Sequence, residues 1–537
     1  MGNSVLALSS VVSTLGGLVF GYELAIISGA LLQLQSQFHL SCFQQEAVVS
    51  ALLIGALLAS VIGGFLIDRH GRRNSILFSN LLVLGGSLLL TVSGSVFVLV
   101  VGRITVGFAM SISSMSCCIF VSEMVSPKRR GLLVTLYEAG ITMGILTAYA
   151  MNYLLSKVGE GWKYMFGLAI APALVQLISI LFLPSSSVTN VKKACEVQGQ
   201  TGLIQLTGVA EEDDVVKCQR DDQRYSIWAL FQSKDNMRTR TVIGLGLVLF
   251  QQFTGQPNVL FYASTIFQSA GFEGDTSAVL ASVGLGVVKV IATLISMISA
   301  DRVGRRRLLI FGCVVMTTSL FVIGLLGKHS LLHSRRPCSA NASISNGTPL
   351  AQNEMGEKLI PLNVSAGQSP GHSNESAVSG SSGILANRAP SSPKAAGRDL
   401  VNWIMLISMM AYVSAYSVGF GPMTWLVLSE IFPAGLRGRA FAFTNCFNWA
   451  ANVLVTFTFL NLIDALGLPW TFMLYGINGV AAVVFIYFML PETKGKSLEE
   501  IDRDLSMKRF QSRSLWCVTL SCRKNGSTGY QRVYTST

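Results

Sequence analysis

The sequence predicts an all-α membrane protein with twelve transmembrane helices arranged as two pseudo-symmetric six-helix bundles. Three observations predict it: too little charge for a water-facing surface, twelve apolar runs of spanning length, and an internal duplication that divides the runs six and six.

Only 13% of the 537 residues are charged, about half of the roughly 25% usual in soluble proteins. With a mean hydropathy of +0.53, such a chain needs lipid to solvate much of its surface. The net charge of +12 is scattered in short clusters between apolar runs, a pattern that sets membrane orientation and does not suit nucleic acid. The ten cysteines form no C-x-x-C pair, so no metal site is expected and no disulfide is assigned; Cys117 and Cys118 fall in an apolar run and are expected to pack. The N-terminal apolar run continues past residue 20 and contains Glu23, so it reads as a first span and not as a cleaved presequence.

A helix crosses the hydrocarbon core with roughly 20 apolar residues. Runs of that kind lie near 8–30, 46–67, 75–95, 97–121, 131–156 and 164–183, then near 240–262, 277–300, 307–327, 400–427, 436–460 and 468–490. The expected organisation is an N-terminal bundle (1–183), a polar linker (184–239), a C-terminal bundle (240–490) and a tail (491–537). Arginine and lysine place both termini, the linker and the tail in the cytosol, because Arg69, Arg72, Arg73, Lys128, Arg129, Arg130, Arg302, Arg305, Arg306, Arg307, Arg437 and Arg439 then all face inward. The short outer loops hold only Lys157 and Lys163. One long outer segment, 328–399, is rich in Ser, Gly, Pro and Asn and is expected to be largely disordered. It carries four N-x-S/T sequons, at Asn341, Asn346, Asn363 and Asn374, which make it a candidate glycosylated loop; a fifth, at Asn525, falls in the cytosolic tail and should stay unmodified. Sequons mark the secretory route and leave the plasma membrane and endomembranes equally open.

The duplication is explicit. Asp68-Arg69-His70-Gly71-Arg72-Arg73 follows the second span and Asp301-Arg302-Val303-Gly304-Arg305-Arg306 the eighth. Glu123 with Arg130-Gly131 follows the fourth span, and Glu430 with Arg437-Gly438 follows the tenth at the same spacing. Glycine permits the tight turn, and a carboxylate at a span end can take a bidentate arginine. Arg72, Arg73, Glu123, Arg130, Arg305, Arg306, Glu430 and Arg437 are therefore candidate gating salt bridges, expected to hold the inner ends of the two halves together in one state and part in another.

These motifs resemble the sugar porter family of the major facilitator superfamily over nearly the whole chain. Gly102-Arg103, Gln251-Gln252, Gly419-Phe420-Gly421-Pro422 with Trp425, and Pro491-Glu492-Thr493-Lys494-Gly495 carry the resemblance further. The short first outer loop and the long sequon-bearing ninth loop are similar to class III of the facilitative glucose transporters. The resemblance implies the major facilitator fold around a central cavity, alternating access, and a small neutral sugar as solute, with glucose, galactose and dehydroascorbate all fitting.

Polar residues inside spans are functional candidates by default. Span seven offers Gln251, Gln252, Gln256 and Asn258, interrupted by Gly255 and Pro257. Amides donate and accept, as a hydroxyl-rich solute requires, and Trp425 would cover its C–H face. By resemblance, Gln251, Gln252, Asn258, Trp425, Asn448 and Asn452 match sugar-contacting or cavity-lining positions, with Phe20 and Tyr262 the nearby aromatics. The chain departs from the family at Glu138, where Gln is usual, and at Lys289, where Asn is common. These two charges compensate one another across the cavity, or one of them approaches the solute. Ser417 replaces a usual glutamate, and Pro184-Ser185-Ser186-Ser187 replaces the P-E-S-P-R pattern. Glu23 and Arg103 match a carboxylate and an arginine of proton–sugar symporters, so the sequence permits proton coupling as well as a permanent ion pair.

No cofactor or metal is expected, and no ATP site: Gly284-Leu285-Gly286 lacks the strand and acidic residue that nucleotide binding needs. Five scattered histidines and no nucleophile–base pair argue against an enzyme. A sugar sensor built on a transporter fold is the alternative in another class; the short tail, without a folded domain, argues for transport.

Overall fold

The computed structural model of the protein describes residues 3–124, 127–183, 230–232, 234–269, 275–330, 393–496 and 498–506. Twelve spans follow in order. Span one is Asn3–Ala25 continued by Ile27–Phe38, span two Cys42–His70, span three Arg72–Val92, span four Val96–Met124, span five Pro127–Leu155, and span six Gly161–Gly167 with Ile170–Leu181. Span seven is in three pieces, Met237–Phe253, Gln256–Phe261 and Ala263–Ser269. Span eight is Asp275–Val303, span nine Arg305–Ser330, span ten Pro393–Val418 with Phe420–Ile431, span eleven Ala434–Phe457 with Phe459–Leu466, and span twelve Leu468–Met489. Among the described residues nine helices are long and apolar enough to cross a membrane, or ten when bent span eleven is counted. The other two spans are span five, which starts in a basic turn, and span seven, whose pieces are each too short alone.

The duplication read in the motifs reappears in the packing. Span one lies on five, two on four, and three on four and six; correspondingly, seven lies on eleven, eight on ten, and nine on ten and twelve. The halves meet along span five against eight and span two against eleven, two interfaces that the pseudo-two-fold exchanges.

Small residues set the closest approach. Gly17 and Gly21 of span one meet the backbone of Tyr137 and Ile141, while Gly140 and Gly144 of span five meet the backbone of Thr14 and Leu18. Both pairs are spaced by four, so one helical face without side chains nests in another. A Cβ at any of these sites would drive into the partner's backbone.

The arginine-rich turns are built on Gly71 (φ 84°) and Gly304 (φ 108°), conformations that suit glycine. We call the end bearing them the basic end, and the opposite one the far end. At Gly304 the Glu492 carboxylate closes in and accepts from the Arg305 backbone N–H at 3.1 Å, an anion placed at the start of span nine. Beneath the basic end, helix Leu498–Ser506 docks on fully buried Arg240, which donates to Asp502 Oδ1 (2.5 Å), the Asp502 carbonyl (2.9 Å), Ser506 Oγ (3.0 Å) and the Ile431 carbonyl (2.9 Å). Residues 498–506 of the tail form this helix, whose amphipathic Leu-Glu-Glu-Ile pattern supplies an anchoring face.

The far end holds the halves together. Ser28 and Ser264 share a hydroxyl contact at 3.1 Å, and the Ser264 N–H also donates to Ser28 Oγ. Tyr149 donates to the Leu260 carbonyl at 2.9 Å, and the Glu46 carboxylate accepts from both the backbone N–H and the side-chain amide of Asn461. Nearer the middle, Asn445 Nδ2 donates to Ser60 Oγ at 3.0 Å. Cys42, at the far end of span two, is disulfide-bonded, which corrects the reading of no disulfide. The long outer segment is also shorter than expected at its edges, since residues 328–330 and 393–399 are helical; 331–392, with all four sequons, lie outside the described residues, as do 184–229 of the linker.

The span one–five contact makes a prediction. Gly21→Val or Gly144→Val should lower the midpoint of a detergent thermal-shift assay by several degrees, as overpacking costs about 1–3 kcal/mol or more when backbone must move. Gly85→Val, where nothing lies within 4 Å, should leave it unchanged. Equal midpoints for all three variants would remove the close approach as a determinant of the fold.

Candidate solute-binding site

Span seven is broken where the sequence places Gly255 and Pro257. Gly255 sits at φ 84°, and a Cβ there would lie 2.5 Å from the Tyr475 ring. The break leaves the Thr254 carbonyl without a helical partner, and Tyr412 of span ten donates to it at 2.9 Å. In hydrocarbon such a group must be met from within the protein.

The amides on either side of the break are held alike. Gln251 donates through Nε2 to the Tyr416 hydroxyl and to the Phe420 carbonyl, each at 3.0 Å. Asn258 donates through Nδ2 to the Tyr475 hydroxyl at 2.8 Å and to the Val455 carbonyl at 3.3 Å. In both, the amide carbonyl oxygen is buried and has no hydrogen-bond partner among the described residues. Two tyrosine-anchored amides therefore each keep an acceptor for a hydroxyl donor. The buried indole N–H of Trp449 is likewise without a partner among the described residues and adds a donor.

The remaining predicted residues have partners of their own. Gln252 donates to Asn448 Oδ1 at 2.6 Å, linking spans seven and eleven. Asn452 accepts from Thr456 Oγ1 at 3.2 Å, and Tyr262 donates to the Thr456 carbonyl at 3.4 Å while stacking on Phe459. Trp425 is half-buried with its ring 5.2 Å from that of Phe441. From the other half, Phe20 reaches across to Trp449, 6.2 Å between centroids, and also packs on Tyr137 at 6.5 Å. Behind Phe20 a small pocket, with room for about one water molecule, is bordered by Asn80, Ser113 and Gln176 of the N-terminal half. Glu138 on span five and Lys289 on span eight lie within electrostatic reach of each other across the boundary between halves.

Glu23 and Arg103 are together, and fully buried. Arg103 Nη1 donates to the Glu23 carbonyl at 3.1 Å and approaches Oε2 at 3.5 Å; Ser87 donates to Oε1 at 3.2 Å. The Phe166 ring covers the guanidinium at 5.7 Å. Every partner belongs to the N-terminal half.

The described contacts of the arginine motifs lie within single halves. Arg305 donates to Glu430 at 3.2 Å, which joins spans nine and ten of a single half. Arg73 donates to the carbonyls of Ile180 (3.3 Å) and Leu181 (2.9 Å), and Arg306 to that of Tyr487 (2.6 Å). Each thus ties the start of a span to the end of the sixth or twelfth span of its own half. The described pairs do not bridge the two halves. The glycine turns that launch them pack within one bundle, as Gly304 does on Glu492, so the guanidiniums find partners there. Arg72 is buried, and the side chains of Glu123, Arg130 and Arg437 lie outside the described residues.

Sequence reasoning missed Tyr412, Tyr416, Tyr475 and Trp449. Tyr412 and Tyr416 carried a signal, being one helical turn apart in an otherwise apolar span.

With this geometry in place, the similarities to known proteins are informative. The model of the family described as "Sugar (and other) transporter" matches residues 9–346 and 379–505. Facilitated glucose transporter member 10 of Xenopus laevis is 56% identical over 99% of this chain and 98% of its own length; the Homo sapiens protein of that name is 51% identical over 95% and 96%. Among solved structures, a major facilitator superfamily proton:xylose symporter bound to 6-bromo-6-deoxy-D-glucose superposes with a TM-score of 0.68 at 25% identity, over 94% of this chain and 99% of the symporter. Relatives more than half identical along nearly the whole length, and a family model matched in both halves, place the chain without ambiguity: it belongs to the sugar transporter family, among the facilitative glucose transporters of the major facilitator superfamily, and is a transporter and not an enzyme.

Proposed function

We propose that the protein carries a hexose of the glucose or galactose class across the membrane by alternating access, as facilitated diffusion. The observation that carries this reading is the pair of tyrosine-anchored amides flanking the break in span seven, each with a carbonyl acceptor left over. A hexose brings several hydroxyl donors to such acceptors and an apolar C–H face to Trp425 or Phe20. Dehydroascorbate, the other solute in view, is a carbonyl-rich ring with fewer donors to offer, so the site suits it less well.

Alternating access is supported by the kind of contact at each place. Hydrogen bonds such as Ser28–Ser264 and Tyr149–Leu260 close the far end and can be exchanged for water at little cost. The ion pair Arg305–Glu430 lies within one half and can travel with it as a rigid body. On this reading the basic end and both termini are cytosolic, and the far end, with its Cys42 disulfide, faces an oxidising compartment. The membrane is the plasma membrane or one of the secretory route, and the four sequons of the outer segment are open to glycosylation.

Counterflow in liposomes tests transport against sensing. Vesicles preloaded with unlabelled glucose should transiently accumulate the labelled sugar, and dehydroascorbate should compete weakly. Gln251→Ala or Trp425→Ala should slow that uptake by about tenfold, the loss of one or two hydrogen bonds or a stacking face. Retention of full rate in both variants would contradict the site; counterflow of dehydroascorbate alone would move the substrate assignment to it.

Proton symport is the second reading, favoured by the Glu23–Arg103 pair. The enclosure of that pair within a single half supports a permanent ion pair instead. Uptake should be flat across external pH, and an imposed proton gradient should drive no accumulation, in wild type and in Glu23→Gln alike. Accumulation that depends on the gradient and disappears in Glu23→Gln would establish coupling.

A further inference from the structure

Lys289 and Glu138 are two charges in a place where charge is expensive. Lys289 is 7% exposed, and its ammonium sits over the ring of Tyr416 with Nζ 5.1 Å from the centroid. Glu138 comes from the opposite half, within electrostatic reach of both Lys289 and the Tyr416 hydroxyl. That same hydroxyl accepts the 3.0 Å hydrogen bond from Gln251 Nε2. Three side chains thus touch in sequence, from span eight through span ten to the broken span seven, with Glu138 of span five in electrostatic reach of the first two.

We propose that Glu138 and Lys289 are positioning residues for the solute site: together they fix the Tyr416 ring, and through its hydroxyl the orientation of Gln251. The physics has two parts. A cation over an aromatic face in a poorly solvated place restrains the ring more strongly than apolar contact does. The carboxylate across the boundary then offsets the cost of burying the ammonium, so neither charge is tolerated well without the other. With Tyr416 held, Gln251 commits its amide N–H to it and keeps its carbonyl oxygen for a solute hydroxyl. Because the charges sit in different halves, the restraint is strongest when spans five and eight are close, so Gln251 is best ordered in the state seen here.

The inference rests on the transport reading above, and a double-mutant cycle on zero-trans glucose uptake in liposomes tests it separately. Lys289→Met and Glu138→Gln should each raise KM by about tenfold with Vmax changed by less than about twofold, and the double variant should sit near the worse single, because groups in one network do not add. Lys289→Arg, which keeps a cation over the ring, should restore KM to within about threefold of wild type. Tyr416→Phe keeps the ring but removes the hydroxyl, and should raise KM as the single charge variants do. The inference is overturned if the two single effects simply multiply in the double variant, if KM stays constant while Vmax falls, or if Tyr416→Phe is silent. Wild-type vesicles in the same series separate the two claims: failure of the wild type to take up any hexose defeats the transport reading, whereas working wild type with independent singles defeats only this one.

Discussion

A helix can break inside a bilayer only if neighbouring helices satisfy the backbone groups that the break releases. Span seven is built around this constraint. Gly255 and Pro257 interrupt it, and two tyrosines answer its backbone: Tyr412 donates to the Thr254 carbonyl and Tyr149, from the other half, to the Leu260 carbonyl, while the Tyr475 hydroxyl holds the Asn258 side chain. Around the interruption Gln251 is held by span ten, Gln252 by span eleven, and Asn258 by spans eleven and twelve. Without the tyrosines the break would leave unpaired polar groups in an apolar setting.

The duplicated architecture divides the labour between rigid and exchangeable contacts. Within a half, glycine faces nest backbone against backbone, and arginines staple span starts to span ends. Between halves, the described contacts include hydrogen bonds, the packing of Gly286 on Leu146 and Tyr149, and the approach of Phe20 to Trp449 beside the candidate solute site. Interfaces of this second kind can reopen without unfolding either bundle. The described contacts of Arg73, Arg305 and Arg306 each lie within one half, while Ser28, Tyr149 and Glu46 tie the halves together at the far end.

Much of this was legible in the chain. Charge scarcity and twelve apolar runs forecast the spans, and the repeated Asp-Arg-x-Gly-Arg-Arg and Glu-to-Arg spacings forecast two like halves. Gly255 and Pro257 forecast the break, since both disfavour a continuous helix. Partners were harder to read. Which carbonyl Arg73 or Arg306 would reach depends on where span six or span twelve ends, a tertiary fact with no local trace. The bend of 40° in span eleven falls at Thr458, where no glycine or proline marks it. The tyrosine anchors escaped notice because a tyrosine in an apolar run resembles core filling until its hydroxyl's partner is known. Cys42 was overlooked as a disulfide cysteine because its place at the outer end of span two depends on where that helix begins.

Equilibrium binding measures whether the flanking amides hold the sugar, without any transport step. Isothermal titration of D-glucose into purified protein should give a saturable, one-site isotherm. The signal should be lost in a Gln251→Leu, Asn258→Leu double variant that still elutes as a monodisperse species. Unaltered affinity in that well-folded variant would contradict the account and move the solute elsewhere in the molecule.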